Sequence, residues 1–278
     1  MKKQAKDIWA QIALAQEAAG WRQAVQQQAG RTVLAVPESA FALQQSRQFP
    51  AIVYSAVGYA MGRYTYMPDV VSGFLRRHQR WLSPAWMARI EALIRQHLDD
   101  PNQNEPQPEV WRPLAEALAR WQAQPDRKEP TMKQYKPLQP VSEMERISRE
   151  ELAACLDEIL ARVEQENIGF VITDDGKPDL VLCPYVWFDP ALLDDLGCVV
   201  NSAIRDAIRT GGEDGAAVRQ FVRNHLPDLD EKTLHVAAGD LRQMFLSASM
   251  SEAEKREWNE LLAQIETRLR ALKEGQSP

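Results

Sequence analysis

The sequence predicts a mostly helical α+β protein made by tandem duplication. Apolar residues recur at helical spacing through most of the chain, whereas strand-like runs are few and short. A shift of 147 residues aligns two parts of the chain without a gap. The composition, 45% hydrophobic and 26% charged, is typical of a globular protein, and 278 residues are enough for two domains.

The repeat is clearest where residues 53–98 align with 200–245, with 11 identities in 46 positions. The same offset places the strand-like run 33–37 on 180–184. Two amphipathic helical stretches can also match through shared pattern alone. The constant offset through strand, proline and helices favours a duplication, which makes the chain a candidate single-chain pseudodimer. The identical pairs include Phe74 and Phe221, Arg76 and Arg223, and His78 and His225.

The first repeat, 1–98, is predicted to begin with a helix marked by Ile8 and Ile12, followed by a hairpin of strands 21–26 and 31–36. Ser83 before Pro84 is typical of an N-cap followed by a first-turn proline. Asp230 is the equivalent cap in the second repeat. Further helices are predicted at 38–46, 50–63, 68–80 and 84–98.

Residues 99–140 are predicted to be a linker, because both ends of this segment are rich in proline and charge. One amphipathic helix interrupts it and is interpreted as a bridge between the domains. Its apolar stripe consists of Trp111, Leu114, Leu118 and Trp121.

The second repeat, 141–278, divides into a small unit at 141–188 and a helical block at 189–278. Ser148 and Glu151 have the spacing of a capping box at the start of a helix. Two strands, 169–172 and 179–183, are predicted to follow, joined by a tight turn. The remainder is predicted to be helical, ending with a helix at 251–273.

Several short motifs run through residues 141–185. They are a V-S-E start, a helix ending in a V-E segment, and V-I-T-x-x-G-K-P leading into a strand. The matching residues are Val141-Ser142-Glu143, Leu156-Asp157-Glu158-Ile159-Leu160, Val163-Glu164, Val171-Ile172-Thr173 and Gly176-Lys177-Pro178. This segment resembles the N-terminal domain of Phd/YefM-type (prevent-host-death) antitoxins.

The resemblance implies a small α+β unit that dimerises through its sheet. It also implies operator binding through basic residues near the first strand and helix, and neutralisation of a toxin by a C-terminal tail. In this chain a predicted helical block takes the place of that tail, and residues 144–147 look like an insertion before the helix. Separately, residues 55–74 are similar to helical segments of uncharacterised phage and conjugative-element proteins, to which no activity is attached.

Charge is distributed unevenly along the chain. Residues 1–131 hold 16 basic and 12 acidic residues, whereas 132–278 hold 17 and 27. The halves can attract one another, or the first can bind a polyanion and the second a basic partner. Two solvated surfaces of unequal composition explain the same counts.

No phosphate-binding loop, zinc-protease motif, nucleophile elbow or dinucleotide fingerprint is present, so we expect a protein that is not an enzyme and needs no cofactor. The three cysteines lack metal-ligand spacing and favour a reducing cytoplasm. His78 and His225 are interpreted as helix-end or surface residues rather than metal ligands. No stretch has the length and apolarity of a membrane span or a signal peptide.

Two basic clusters are candidates for phosphate contacts, although solubilising charge explains them as well. The predicted DNA-binding residues are Lys133, Lys136, Arg146, Arg149, Arg63, Arg76, Arg77 and Arg80. A second set is predicted to contact a protein partner, with a plain connector as the alternative for the two tyrosines. These residues are Tyr64, Tyr66, Trp258 and Leu262.

Two functions follow from these observations. The first is a non-enzymatic, antitoxin-like DNA-binding regulator of a mobile element or a toxin-antitoxin type system, acting as a pseudodimer or homodimer. The alternative is a protein-protein interaction module, an inhibitor or adaptor, that binds no DNA.

Overall fold

The structure is a computed structural model, and the chain in it forms two compact units. Unit 1 comprises residues 1–46 and 128–193, and unit 2 comprises 47–127 and 194–278. Each unit takes segments from both halves of the chain, which differs from the predicted division at 99–140. The described residues are 33–62, 68–79, 82–100, 107–123, 139–174, 177–184, 192–244 and 250–274.

The described residues form four strands and ten α-helices, which confirms a mostly helical α+β fold. The strands are β1 (Val33–Pro37), β2 (Glu145–Ser148), β3 (Phe170–Asp174) and β4 (Lys177–Pro184). The helices are α1 (Glu38–Gln45), α2 (Phe49–Ala60), α3 (Pro68–His78), α4 (Pro84–Asp99), α5 (Pro108–Ala123), α6 (Arg149–Glu166), α7 (Leu192–Thr210), α8 (Gly212–Asn224), α9 (Glu231–Met244) and α10 (Glu252–Lys273).

Unit 1 is a four-stranded sheet with the order β1-β4-β3-β2, and α6 packs against it. Helix α6 crosses from β2 to the parallel strand β3, and β3 and β4 pair antiparallel. Ser148 Oγ accepts from the Glu151 backbone N–H at 3.1 Å, and Glu151 Oε2 accepts from the Ser148 backbone N–H at 2.7 Å, which confirms the predicted capping box. The core between helix and sheet includes Leu152, Ile159, Val163, Phe170, Ile172 and Leu182.

The pairing of β1 with β4 is reciprocal. At the offset of 147 residues, Val33 corresponds to Leu180 and Pro37 corresponds to Pro184. Val33 lies opposite Pro184, and Pro37 lies opposite Leu180. Ala35 lies opposite its own counterpart, Leu182. In this register residue i meets j and the counterpart of i meets the counterpart of j, which is the pattern of a two-fold contact.

The predicted strand 31–36 is therefore present from Val33 onward, but its partner here is β4, about 150 residues away along the chain. The predicted strand 21–26 and the opening helix with Ile8 and Ile12 lie outside the described residues.

Unit 2 contains two sets of four helices, α2–α5 and α7–α10, which follow one another in the same order. The offset of 147 residues places each helix of the first set on the corresponding helix of the second. Helix α5 falls on α10, so Trp111 corresponds to Trp258, and both are completely buried. Helix α5 packs against α4, as α10 packs against α9. The helix predicted to be a bridge is thus part of the core of unit 2.

Both predicted N-caps are present. Ser83 Oγ accepts from the Trp86 backbone N–H at 3.4 Å, and Asp230 Oδ1 accepts from the Thr233 backbone N–H at 2.7 Å. Trp86 and Thr233 are also counterparts at the same offset. The start of the third helix in each set is therefore fixed by the same local device.

His78 and His225 lie at helix ends as predicted, His78 in the last turn of α3 and His225 as the C-cap residue of α8. The predicted surface position is wrong, because both side chains are buried. His78 stacks on Phe74 with ring centroids 4.1 Å apart, and His225 lies against Phe221 at 4.8 Å. Each imidazole fills a core position one helical turn after a phenylalanine. Among the described residues, no helix is both long enough and apolar enough to cross a membrane.

Candidate functional site

The predicted DNA-binding residues of unit 1 differ in their surroundings. Arg146 is exposed on β2, an edge strand, and none of the ion pairs among the described residues involves it. Arg149 begins α6 and is mostly buried, with Nη2 3.6 Å from Asp174 Oδ2. Arg146 is thus the more accessible cation. Lys133 and Lys136 lie outside the described residues.

The candidates in unit 2 also separate into accessible and paired groups. Arg76 is exposed near the end of α3 and takes no part in the ion pairs of the described residues. Arg77 is paired with Asp195 of α7. Its charge is therefore partly neutralised within the fold. Arg63 and Arg80 lie outside the described residues.

The arginines and aromatic residues of this region interact with one another. Arg89 lies 4.3 Å above the ring of Tyr54 and 4.9 Å above that of Trp86. The same guanidinium is 2.5 Å from Asp214 Oδ2. These cation–π contacts and the ion pair occupy Arg89 and Trp86, so this pair stabilises unit 2 instead of presenting a free stacking surface.

The segment around Arg146 is acidic. Residues 139–184 contain 11 acidic and four basic residues. Two of the bases are occupied: Arg149 by Asp174, and Arg162 by Glu145 at 3.0 Å. Any phosphate contact made by residues 139–184 therefore depends on the few basic side chains that have no carboxylate partner among the described residues, such as Arg146.

The assignment of Trp258 to a partner surface is corrected by its burial. Its side chain is completely enclosed in unit 2, and the guanidinium of Arg219 lies 5.0 Å above its ring. Arg219 is itself buried and pairs with Glu257. Leu262 is partly buried on the same helix. Trp258 consequently stabilises the core, and Tyr64 and Tyr66 lie outside the described residues.

A polar seam between α2 and α7 was not foreseen from the sequence. We define the seam as Gly58, Tyr59 and Gly62 on the α2 side and Arg205, Asp206 and Arg209 on the α7 side. Arg205 Nη1 donates to Tyr59 Oη at 3.3 Å. A Cβ atom added to Gly58 would lie 3.1 Å from Asp206 Oδ2, and one added to Gly62 would lie 3.3 Å from Arg209 Nη1. The two glycines therefore provide the space that the charged side chains occupy.

The charges of the seam are satisfied within α7 and α9. Arg205 donates two hydrogen bonds to Asp240, at 2.6 and 2.9 Å, and Arg209 Nη2 donates to Asp206 Oδ1 at 2.8 Å. Burial raises the pKa of the Asp206 carboxyl, and the positive charge and hydrogen bond of Arg209 oppose that shift. The arrangement suits a helix contact better than catalysis, since the ionised groups already neutralise one another.

The cysteines are free thiols, and they differ in access. Cys155 is exposed on α6, whereas Cys183 is buried in β4, where burial raises the pKa of its thiol. Within the described part of the chain, no group of three or more His, Cys, Asp or Glu side chains is placed to hold a metal ion.

Comparison with known proteins gives no assignment. No protein-family model matches the chain. No curated protein and no solved structure matches it either.

Proposed function

We propose that this chain is a non-enzymatic, antitoxin-like DNA-binding regulator in which a duplication has joined both halves of a dimer. Its Phd-like unit would comprise β2, α6, β3 and β4, with β1 supplied by the first repeat. The proposal extends the resemblance of residues 141–185 to the arrangement of the whole chain.

The reciprocal pairing of β1 with β4 carries the proposal. The resemblance implies dimerisation through the sheet, and two equivalent strands of one chain pair here in a two-fold register. A regulator with two-fold symmetry reads two half-sites that are related by the same symmetry. The duplicated chain would offer both halves without a second molecule.

Arg146 and Arg76 are the best candidates for phosphate contacts. Both are exposed, and the ion pairs of the described residues leave both out. Arg149 and Arg77 have carboxylate partners, so they would have to exchange those partners for phosphate. We therefore assign the first two the larger share of DNA affinity.

The test compares charge reversals in the full-length protein. Arg146→Glu and Arg76→Glu should each weaken binding to the DNA upstream of the gene and lower the slope of log K against log salt by about one. Arg112→Glu is the matched control, because Arg112 is an exposed arginine of α5 and carries the same charge change. Fluorescence anisotropy at several salt concentrations measures both quantities. Equal affinities for all three variants would refute the site assignment.

The acidic balance of residues 139–184 favours a second function, an interaction module for a basic protein. Helix α6 carries Glu150, Asp157 and Glu158 on its exposed side, and none of these belongs to an ion pair of the described residues. This alternative predicts no DNA binding at low salt. It also predicts a captured partner that is lost on Asp157→Lys/Glu158→Lys substitution, and retention of that partner would exclude the surface.

A further inference from the structure

We propose that the seam between α2 and α7 selects its partner: the charged side on α7 accepts the glycine side on α2 and rejects a second charged side. The occupant of the α7 surface is thus the first repeat of the same chain. This inference depends on the proposed two-fold organisation and is independent of DNA binding.

The contacts across the seam are reciprocal. At the offset of 147 residues, Gly58 corresponds to Arg205, Tyr59 to Asp206 and Gly62 to Arg209. Gly58 lies against Asp206, and Tyr59 lies against Arg205, so each contact is the counterpart of the other.

The third contact of the seam fits the same reciprocal pattern. Gly62 lies against Arg209, which is its own counterpart. Together with the β1–β4 register in unit 1, the seam gives a second set of pairs in which i meets j and j meets i. Equivalent positions therefore meet in both compact units.

The two sides of the seam differ in size and charge. The α2 side has glycine at two of its three positions, and the α7 side has arginine at both counterparts. At Gly58 even a methyl group would be in tight contact with the Asp206 carboxylate, which is only 7% exposed. An arginine there, as in a second charged side, would fit only if that enclosed carboxylate moved aside.

The position on the axis adds a charge penalty. If two charged sides met, Arg209 would face another Arg209, and like charges at short distance repel. Pairing of one repeat with the other thus has the favourable arrangement, and pairing of two second repeats does not. Such a device keeps the internal dimer within one chain.

The test makes the two sides alike in the full-length protein. Gly58→Arg should lower the urea midpoint by about 1 M or more. Gly239→Arg is the matched control, because Gly239 is an exposed glycine of α9 with no atom within 4 Å of an added Cβ. Its midpoint should change by less than about 0.3 M.

The exchange at the axis tests the pairing itself. Gly62→Arg should lower the midpoint, and adding Arg209→Gly should restore most of the loss, since the arginine then stands on the other helix. Gly62→Ala controls for crowding against the Tyr59 carbonyl oxygen, 3.2 Å from the added Cβ. The inference is overturned if Gly62→Arg is no less stable than Gly62→Ala. It is also overturned if the double variant lowers the urea midpoint by the sum of the two single changes.

The test still distinguishes the outcomes if the Gly62→Arg variant is poorly soluble. If Gly62→Arg alone is insoluble, a soluble Gly62→Arg/Arg209→Gly protein supports the seam, and an insoluble one overturns it. If the double variant recovers its stability but the wild-type protein binds no DNA, only the proposed function is refuted. If the wild-type protein binds DNA but the double variant does not recover its stability, only the seam is refuted.

Discussion

The two buried tryptophans of unit 2 occupy corresponding positions but have different neighbours. Trp258 lies beneath the buried guanidinium of Arg219, which pairs with Glu257. At the counterparts of these two residues the first repeat has Ser72 and Val110. The two sets of helices thus correspond in order, whereas the second set has a buried arginine where the first has a serine. The seam shows the same contrast, with glycines in one repeat and arginines in the other.

Removing either tryptophan should have the largest effect. Trp111→Ala and Trp258→Ala should each reduce the free energy of unfolding by about 3–5 kcal/mol, because each leaves a large cavity in a packed core. Urea denaturation measures the loss. A loss below about 1 kcal/mol at Trp258 would return that residue to the surface role predicted from the sequence.

Substitution of Arg219 measures what the buried charge beside Trp258 contributes to stability. Arg219→Ala should reduce stability by about 1–3 kcal/mol, since it removes an ion pair and a cation–π contact from a buried position. Ser72→Ala at the counterpart should lose less than about 1 kcal/mol, because it removes one hydrogen bond to the Asp69 carbonyl oxygen. Similar losses at the two positions would mean that the buried charge contributes no additional stability.

Removal of the two corresponding helix caps should give a smaller difference in stability loss. Asp230→Ala should cost about 1–2 kcal/mol and Ser83→Ala about 0.5 kcal/mol, because the aspartate accepts at 2.7 Å and the serine at 3.4 Å. Thermal unfolding of both variants, with Ser142→Ala at an exposed site as the control, tests the order. The reverse order would contradict the cap geometry.

The smallest expected effect is the pH dependence of stability that the Asp206 carboxyl group causes. Its pKa in the folded state is raised, mainly by burial, while the groups around it are Arg209, His97 and Asp214. The unfolded chain therefore loses this proton first, near pH 3.9, and stability falls as the pH rises through the folded-state pKa. Asp206→Asn has no such proton. The urea midpoint of the variant, relative to that of the wild type, should therefore rise between about pH 4 and pH 7. A difference in midpoint that does not change with pH would contradict the raised pKa of Asp206.

Local signals in the sequence predicted most elements of the fold. The capping box at Ser148, the caps at Ser83 and Asp230, and the strands of the β3–β4 hairpin all depend on residues close together in the chain. The pairing of β1 with β4 did not emerge, because no local pattern specifies a partner about 150 residues away. The proline-rich segments that flank helix α5 predict a bridge, but local composition does not show that its apolar stripe packs against α4.

The seam was missed for a different reason. Arg205, Asp206 and Arg209 look like the exposed face of a helix until glycines on α2 are placed opposite them. The alignment at the 147-residue offset contains the signal, because it pairs Gly58 with Arg205 and Gly62 with Arg209. Among the basic residues, sequence alone did not separate Arg146 from Arg149, because the difference lies in the Asp174 partner.

A salt titration of the purified protein against its own upstream DNA and an unrelated duplex tests whether the chain is a DNA-binding regulator. We predict salt-sensitive binding that prefers the upstream DNA. Absence of binding to either duplex at low salt would contradict the regulator and leave the protein-interaction module as the account of this chain.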